Sequence, residues 1–241
     1  MTIITQDIAY TGDGLAMKAT LYIDDARTTT APGVLLYPEA FGPGPHVHAK
    51  ARRLADEGFA AIVCDLHGNA QTFSDIAEVM PLLDILRPDP ARIRSRAAGA
   101  LDAVMKTEWV DPLRIAAIGF CFGGTMALEL GRSGAPIKAI VGFHSGLATN
   151  APQDASNISC PVLVCIGADD PGIPAEQRMT FEKEMREGQV DWTMHLYGGV
   201  VHSFTNPDAD KIGRPEFARY DAAADAHSWK AMMELFSRVL I

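Results

Sequence analysis

The chain has no run of Lys or Arg and no apolar stretch of the ~18 residues that a membrane span needs. Its cysteines follow neither a zinc nor a disulfide spacing. Each absence removes a class of function. Without a basic stripe, and with a formal charge of −9, nucleic acid is a poor partner. The opening residues, Met1 to Asp7, carry neither a basic region nor an apolar stretch, so neither a secretory signal nor a membrane anchor is expected. The four cysteines, Cys64, Cys121, Cys160 and Cys165, then read as free thiols of a cytoplasmic protein, and the sequon Asn157-Ile158-Ser159 has no use. Repeats, low-complexity tracts and a Pro/Gly/Ser-rich linker are also missing, so a single domain over 1–241 is expected, as a monomer or weak homo-oligomer. No metal or cofactor is implied. The one basic cluster, Arg92, Arg94 and Arg96, reads as a solvated helix face.

What is present is an ordinary globular composition, 48% hydrophobic and 21% charged over 241 residues. A chain of that length buries roughly three-quarters of its unfolded surface, enough for a core without cross-links. Short apolar runs recur at 34–37, 60–64, 114–118, 137–141, 162–166 and 192–197, most of them continuous, as in strands buried on both faces. Helical patterns lie between them at 47–57, 91–106, 123–131 and 175–187, with a last one at 220–239. That alternation predicts an α/β fold with a mostly parallel central sheet and helices on both faces. Thr20 to Ile23 adds an antiparallel hairpin at the sheet edge. Ligands of such folds bind beyond the C-terminal strand ends, where the loops hold Glu39, Asp65, Cys121, His144, Asp170 and His202.

One of those loops is distinctive. Arg114–Ile118 runs into Gly119-Phe120-Cys121-Phe122-Gly123-Gly124, and a helical pattern follows at once. This is the strand–turn–helix setting of a nucleophile elbow, with Cys in place of Ser. Glycine at 119 and 123 lets helix and strand approach closely, and the helix N-terminus favours a thiolate. The N–H of Phe122 is then available to an oxyanion. Cys64, Cys160 and Cys165 lie in or beside apolar strands and read as packing.

A thiol nucleophile needs a base, and the base an orienting acid. With chain order nucleophile, acid, histidine, the loop from Gly167 to Pro174 offers Asp169 or Asp170, and the loop after Tyr197 offers His202. His46 and His48, spaced i, i+2, have no identifiable metal partners. They read as packed or solvated, like His195 in its strand and His227 on the last helix. His144 follows a strand end and reads as packed or solvated, with lining a substrate pocket as its alternative; His67, whose loop faces the site, and Phe204 are the other pocket candidates.

With these residues in hand, the chain resembles the dienelactone hydrolase family of α/β-hydrolases. The likeness rests on Pro38-Glu39-Ala40-Phe41-Gly42, Asp65-Leu66-His67-Gly68, the cysteine turn, Gly167–Pro174 and His202-Ser203-Phe204. It implies Asp170 as the acid, because Pro174 follows four residues later. It implies that Glu39 contacts the resting thiol, and that the N–H groups of Ala40 and Phe122 form the oxyanion hole. The implied reaction is hydrolysis of a lactone or small ester through a thioester on Cys121, with His202 as base. Family lactonases hold a substrate carboxylate with arginines, one soon after the histidine. His202 to Pro207 contains none, which suits an uncharged substrate; Arg87, Arg92 and Arg94 are the candidates for the other arginine. The alternatives are a thioesterase or general small-ester esterase on the same fold, or a non-catalytic binding member.

Overall fold

The computed structural model describes residues 2–241. The chain opens with a hairpin, β1 (Ile3–Gly12) and β2 (Leu15–Asp24), whose turn places Asp13 and Gly14 at positive φ. Then follow β3 (Ala31–Tyr37), α1 (Pro45–Asp56), β4 (Ala60–Val63), α2 (Ile76–Leu86), α3 (Pro90–Val104) and β5 (Val110–Phe120). The second half comprises α4 (Phe122–Arg132), β6 (Ile140–Phe143), β7 (Val162–Gly167), α5 (Ala175–Glu187), β8 (Trp192–Tyr197) and α6 (Ala222–Val239). One eight-stranded sheet runs β1-β2-β4-β3-β5-β6-β7-β8. The hairpin is antiparallel and pairs antiparallel to β4; every other neighbour is parallel. The α/β reading and the edge hairpin are both present.

Strand alternation divides the core. Val34, Leu36, Ile118 and Val141 face α1 and α6, packing on Leu54, Trp229 and Phe236. Leu35, Tyr37 and Ala117 face the other way, toward Ala97, Leu101, Met126 and Phe181 of α3, α4 and α5. Two buried layers explain why the strands read as continuous apolar runs. The parallel register aligns Tyr37 with Gly119, Phe120 with Phe143, Phe143 with Cys165, and Gly167 with Tyr197. The loops after β3, β5, β6, β7 and β8 therefore emerge along one edge.

Three expectations are corrected. Helix α2 has no counterpart in the sequence reading, because Pro81 interrupts its pattern; Asp75 caps it by accepting from the Ala77 N–H. Strand β6 begins three residues later than expected and runs on to Phe143. The arginines of α3 are not a solvated face. Arg92 and Arg96 both bond Asp13 of the hairpin turn, and Arg96 also donates to the Leu66 carbonyl (2.8 Å). Arg94 donates to Glu129 (2.8 Å) and Asp154 (2.6 Å). Charges every second residue reach both flanks of the helix, and carboxylates distant in sequence meet them there.

Arg132, at the end of α4, is fully buried; it donates to Glu184 of α5 through two nitrogens (2.7 and 2.9 Å), to Glu129 (3.0 Å) and to the Leu147 carbonyl (3.1 Å). Burial raises Glu184 above its ordinary range even with this partner. Removing one member strands the others as unpaired buried charges. Arg132→Ala is expected to lower stability by about 3–5 kcal/mol in urea unfolding, and Lys230→Ala, an exposed pair, by under about 1 kcal/mol.

Candidate active site

Cys121 stands between β5 and α4 with φ 54° and ψ −120°, a conformation costly for a residue with a side chain. Its surroundings hold it there. Its N–H donates to the Phe143 carbonyl (3.1 Å), and its carbonyl accepts from Gly124 (3.1 Å). A Cβ on Gly119 would collide with the Gly123 backbone, one on Gly123 with the Tyr37 and Pro38 carbonyls, and one on Gly124 with Ser145. The expected obstruction at 119 and 123 is therefore real. Phe122 is the first residue of α4, so its N–H has no partner within the helix.

The thiol is half-buried, whereas Cys64, Cys160 and Cys165 are buried. Burial pushes the Cys160 and Cys165 thiols up to about 12, and that of Cys64 higher still, so all three stay protonated and inert.

His202 follows β8 and is pinned by its own backbone: its N–H donates to the Phe217 carbonyl (3.0 Å) and its carbonyl accepts from Arg219 (3.1 Å). Its Nδ1 lies 2.7 Å from Asp170 Oδ2. The other oxygen of Asp170 accepts from the Gly172 N–H (2.8 Å). Asp170 is buried and Asp169 exposed, which separates the two acids that spacing alone left open. Burial would push the His202 imidazole down; Cys121 and the Asp170 carboxylate outweigh it and hold the ring well above its usual range.

The Glu39 carboxylate accepts from the Ser203 hydroxyl (3.0 Å) and the Asn206 amide (2.9 Å), and lies 3.4 Å from His46 Nδ1. These partners lie on the histidine loop and on α1. Burial would raise this carboxyl, but the facing His46, with the Ser203 hydrogen bond, brings it down to about 2.

Two of the three pocket candidates are corrected. His144 is wholly buried and faces Thr205 Oγ1 through Nε2 (2.8 Å), with its ring edge-on to His202 at 5.2 Å and to Phe204 at 5.3 Å. Burial and the neighbouring His202 charge push it well down, so it stays neutral. Phe204 is wholly buried in the layer beneath α6. Both support the site from behind and neither presents a surface to substrate. His67 keeps part of its surface; its Nε2 contacts the Ala40 carbonyl (2.7 Å) and its ring meets Phe73 edge-on. The buried Asp65 carboxylate shapes that turn by accepting from the His67, Gly68 and Ala70 N–H groups.

Sequence reasoning missed His46, Ser203, Thr205, Asn206 and Phe217. The polar run Ser203-x-Thr205-Asn206 directly after His202 was the available signal. His46 and His48 diverge: His48 Nδ1 pairs with the Tyr22 hydroxyl (2.9 Å). Among the described residues no cluster of three or more His, Cys, Asp or Glu side chains is arranged to hold a metal. A concavity of about 800 Å³ lies between β8 and α6, lined by His195, Tyr197, Asp221 and His227; it contains none of Cys121, Asp170 or His202.

Because Glu39 is depressed in the folded state, its ionisation stabilises the fold fully above its ordinary value of 4.5 and ceases to do so as pH falls toward about 2. In urea unfolding at pH 7, 5 and 3, the deficit of Glu39→Gln relative to the parent is expected to be similar at pH 7 and 5 and to shrink at pH 3.

Comparison with known proteins places the chain in a family. A family model described as "Dienelactone hydrolase family" matches residues 17–240. A putative carboxymethylenebutenolidase of Yersinia pestis is 28% identical over 230 residues, covering 89% of this chain and 80% of that one. The Escherichia coli protein of the same description is 29% identical, covering 86% and 77%. A crystal structure of a dienelactone hydrolase-like promiscuous phosphotriesterase from metagenomic libraries superposes with a TM-score of 0.95 at 43% identity, covering 100% of both chains. A putative dienelactone hydrolase from Klebsiella pneumoniae shares the fold, with a TM-score of 0.83 at 22% identity and coverage of 98% and 99%. The chain is a hydrolase acting on ester bonds and belongs to the dienelactone hydrolase family.

Proposed function

We propose that the protein hydrolyses a lactone or small carboxylic ester through a thioester on Cys121. The observation that carries this reading is the 2.7 Å contact of His202 Nδ1 with Asp170, which leaves the other ring nitrogen of a buried imidazole free to serve Cys121, the one thiol that is not buried. Asp170 fixes the tautomer and stabilises the imidazolium; His202 holds the thiol proton. The Cys121 sulfur attacks the substrate carbonyl carbon. The carbonyl oxygen takes up the negative charge and is met by the N–H groups of Ala40 and Phe122. As the C–O bond breaks, the imidazolium protonates the departing alkoxide. Water then adds to the thioester while His202 removes its proton, and the thiolate leaves the carboxylic acid behind. His67, by bonding the Ala40 carbonyl, steadies the loop that presents one of the two donors.

The substrate is proposed to be uncharged where it meets the protein. Arg92 and Arg94 are engaged by Asp13, Glu129 and Asp154, and Arg87 pairs with Asp84 on the surface. A second reading comes from the 43% identical phosphotriesterase neighbour. On it, the same sulfur attacks phosphorus in an uncharged triester and expels an aryl or alkyl oxide, leaving an S-dialkoxyphosphoryl cysteine whose P–S bond water cleaves to release a phosphodiester and the thiol. A thioesterase is the remaining enzyme alternative.

Hydrolysis of p-nitrophenyl acetate, a cis-dienelactone and diethyl p-nitrophenyl phosphate by the parent and by Cys121→Ala separates these readings. We expect turnover of the uncharged acetate, loss of at least about 10³-fold in kcat for Cys121→Ala, and a similar loss for Asp170→Asn from the wrong tautomer. Undiminished hydrolysis by Cys121→Ala would sink the thiol mechanism. Turnover of the triester alone would favour phosphorus over carbonyl carbon.

A further inference from the structure

The segment between β3 and α1 grips the loop that carries His202. Glu39 takes one hydrogen bond on each oxygen, from Ser203 and from Asn206. The Asn206 amide is oriented by its own Oδ1, which accepts from the Asp208 N–H (3.0 Å). His46 reaches the residue between them, with Nε2 at 3.1 Å from the Thr205 carbonyl. Three of the four residues after His202 are thus held by two side chains from the chain between β3 and the start of α1.

His46 also faces Glu39 itself. Its Nε2 lies 3.3 Å from the Thr205 hydroxyl as well as against the Thr205 carbonyl. Its Nδ1 has no hydrogen-bonding partner of good geometry, yet lies 3.4 Å from the Glu39 carboxylate in a side chain only 7% exposed. The two gripping side chains therefore stand side by side. Ser203, at φ 54°, also needs outside contacts to stay in a strained conformation directly beside the base. His144 closes the arrangement from behind, on Thr205 Oγ1 and against the His202 ring.

We propose that Glu39 and His46 form one clamp that positions His202, by holding residues 203–206 so that the imidazole bridges Asp170 and Cys121. This rests on the proposed thiol chemistry for what His202 does. It differs from a Glu39 that acts on the thiol itself, and the two roles have opposite consequences. If Glu39 restrained the thiolate, removing its charge would make Cys121 more reactive. If it clamps the base, removing it makes Cys121 less reactive.

The test is the rate of Cys121 carboxamidomethylation by iodoacetamide on the intact folded protein, read by peptide mass spectrometry, for Glu39→Gln, His46→Gln and the pair together. We expect each single variant to react about tenfold more slowly, from loss of a charge-assisted contact, and the double variant to be no slower than either. The low-field proton resonance of the His202–Asp170 bond should broaden in all three. Should His46→Gln not fold, Asn206→Leu removes one grip while keeping both Glu39 and His46, and a smaller decrease is expected. Alkylation of Glu39→Gln at or above the parental rate, or multiplicative losses in the double variant, would overturn the clamp. Alkylation needs no turnover, so the series reads the clamp even where the tested esters are not hydrolysed.

Discussion

The site depends on how closely α4 approaches β3 and β5. Cys121 can stand at positive φ on the turn between β5 and α4 only because Gly119, Gly123 and Gly124 leave no side chain between those backbones and the strands beside them. The sheet supplies the counterforce. Phe143 of β6 receives the Cys121 N–H, and the buried layers on both faces keep the strands in register. A strained residue survives where its surroundings over-determine it, and here strand, helix and neighbouring loop each contribute. The same geometry sets the thiol at a helix N-terminus, where negative charge is favoured.

Around that point the ionisable groups sort by environment. Three thiols are buried and silenced, and His144 is buried and neutral. His202 is buried too, yet Cys121 and Asp170 hold it well above its usual range. The two clusters of buried charge away from the thiol have a structural reading. Arg132 with Glu129 and Glu184 ties α4 to α5, and Arg92 and Arg96 with Asp13 fasten the edge hairpin to α3. Cationic groups that a sequence offers as substrate anchors are thereby already taken.

Much of this was legible in the sequence because it is local. Continuous apolar runs mark strands covered on both faces, and Gly-x-Cys-x-Gly after such a run needs nothing distant to be recognised. Asp170 required either the family's Asp–Pro spacing or coordinates, since Asp169 beside it has the same chemistry and differs only in burial. His144 and Phe204 illustrate the limit. A strand-end position says that a residue lies near the site, but not whether it faces the cleft or the core, and both turned inward. Glu39 was found by motif, yet its partners Ser203, Asn206 and His46 come from segments far apart in the chain. Contacts of that kind leave no spacing to read. Helix α2 was missed because Pro81 hides a pattern that its capping Asp75 nevertheless sustains.

The central claim is that Cys121 becomes covalently acylated. It is tested most directly by mixing the protein with p-nitrophenyl acetate, quenching in acid within the first turnovers and mapping the modified peptide by mass spectrometry. The account requires one acetyl group on the peptide containing Cys121, formed no slower than steady-state turnover and absent from Cys121→Ala. Steady release of p-nitrophenol with no acetylated Cys121, or with the acetyl group on another side chain, would contradict it.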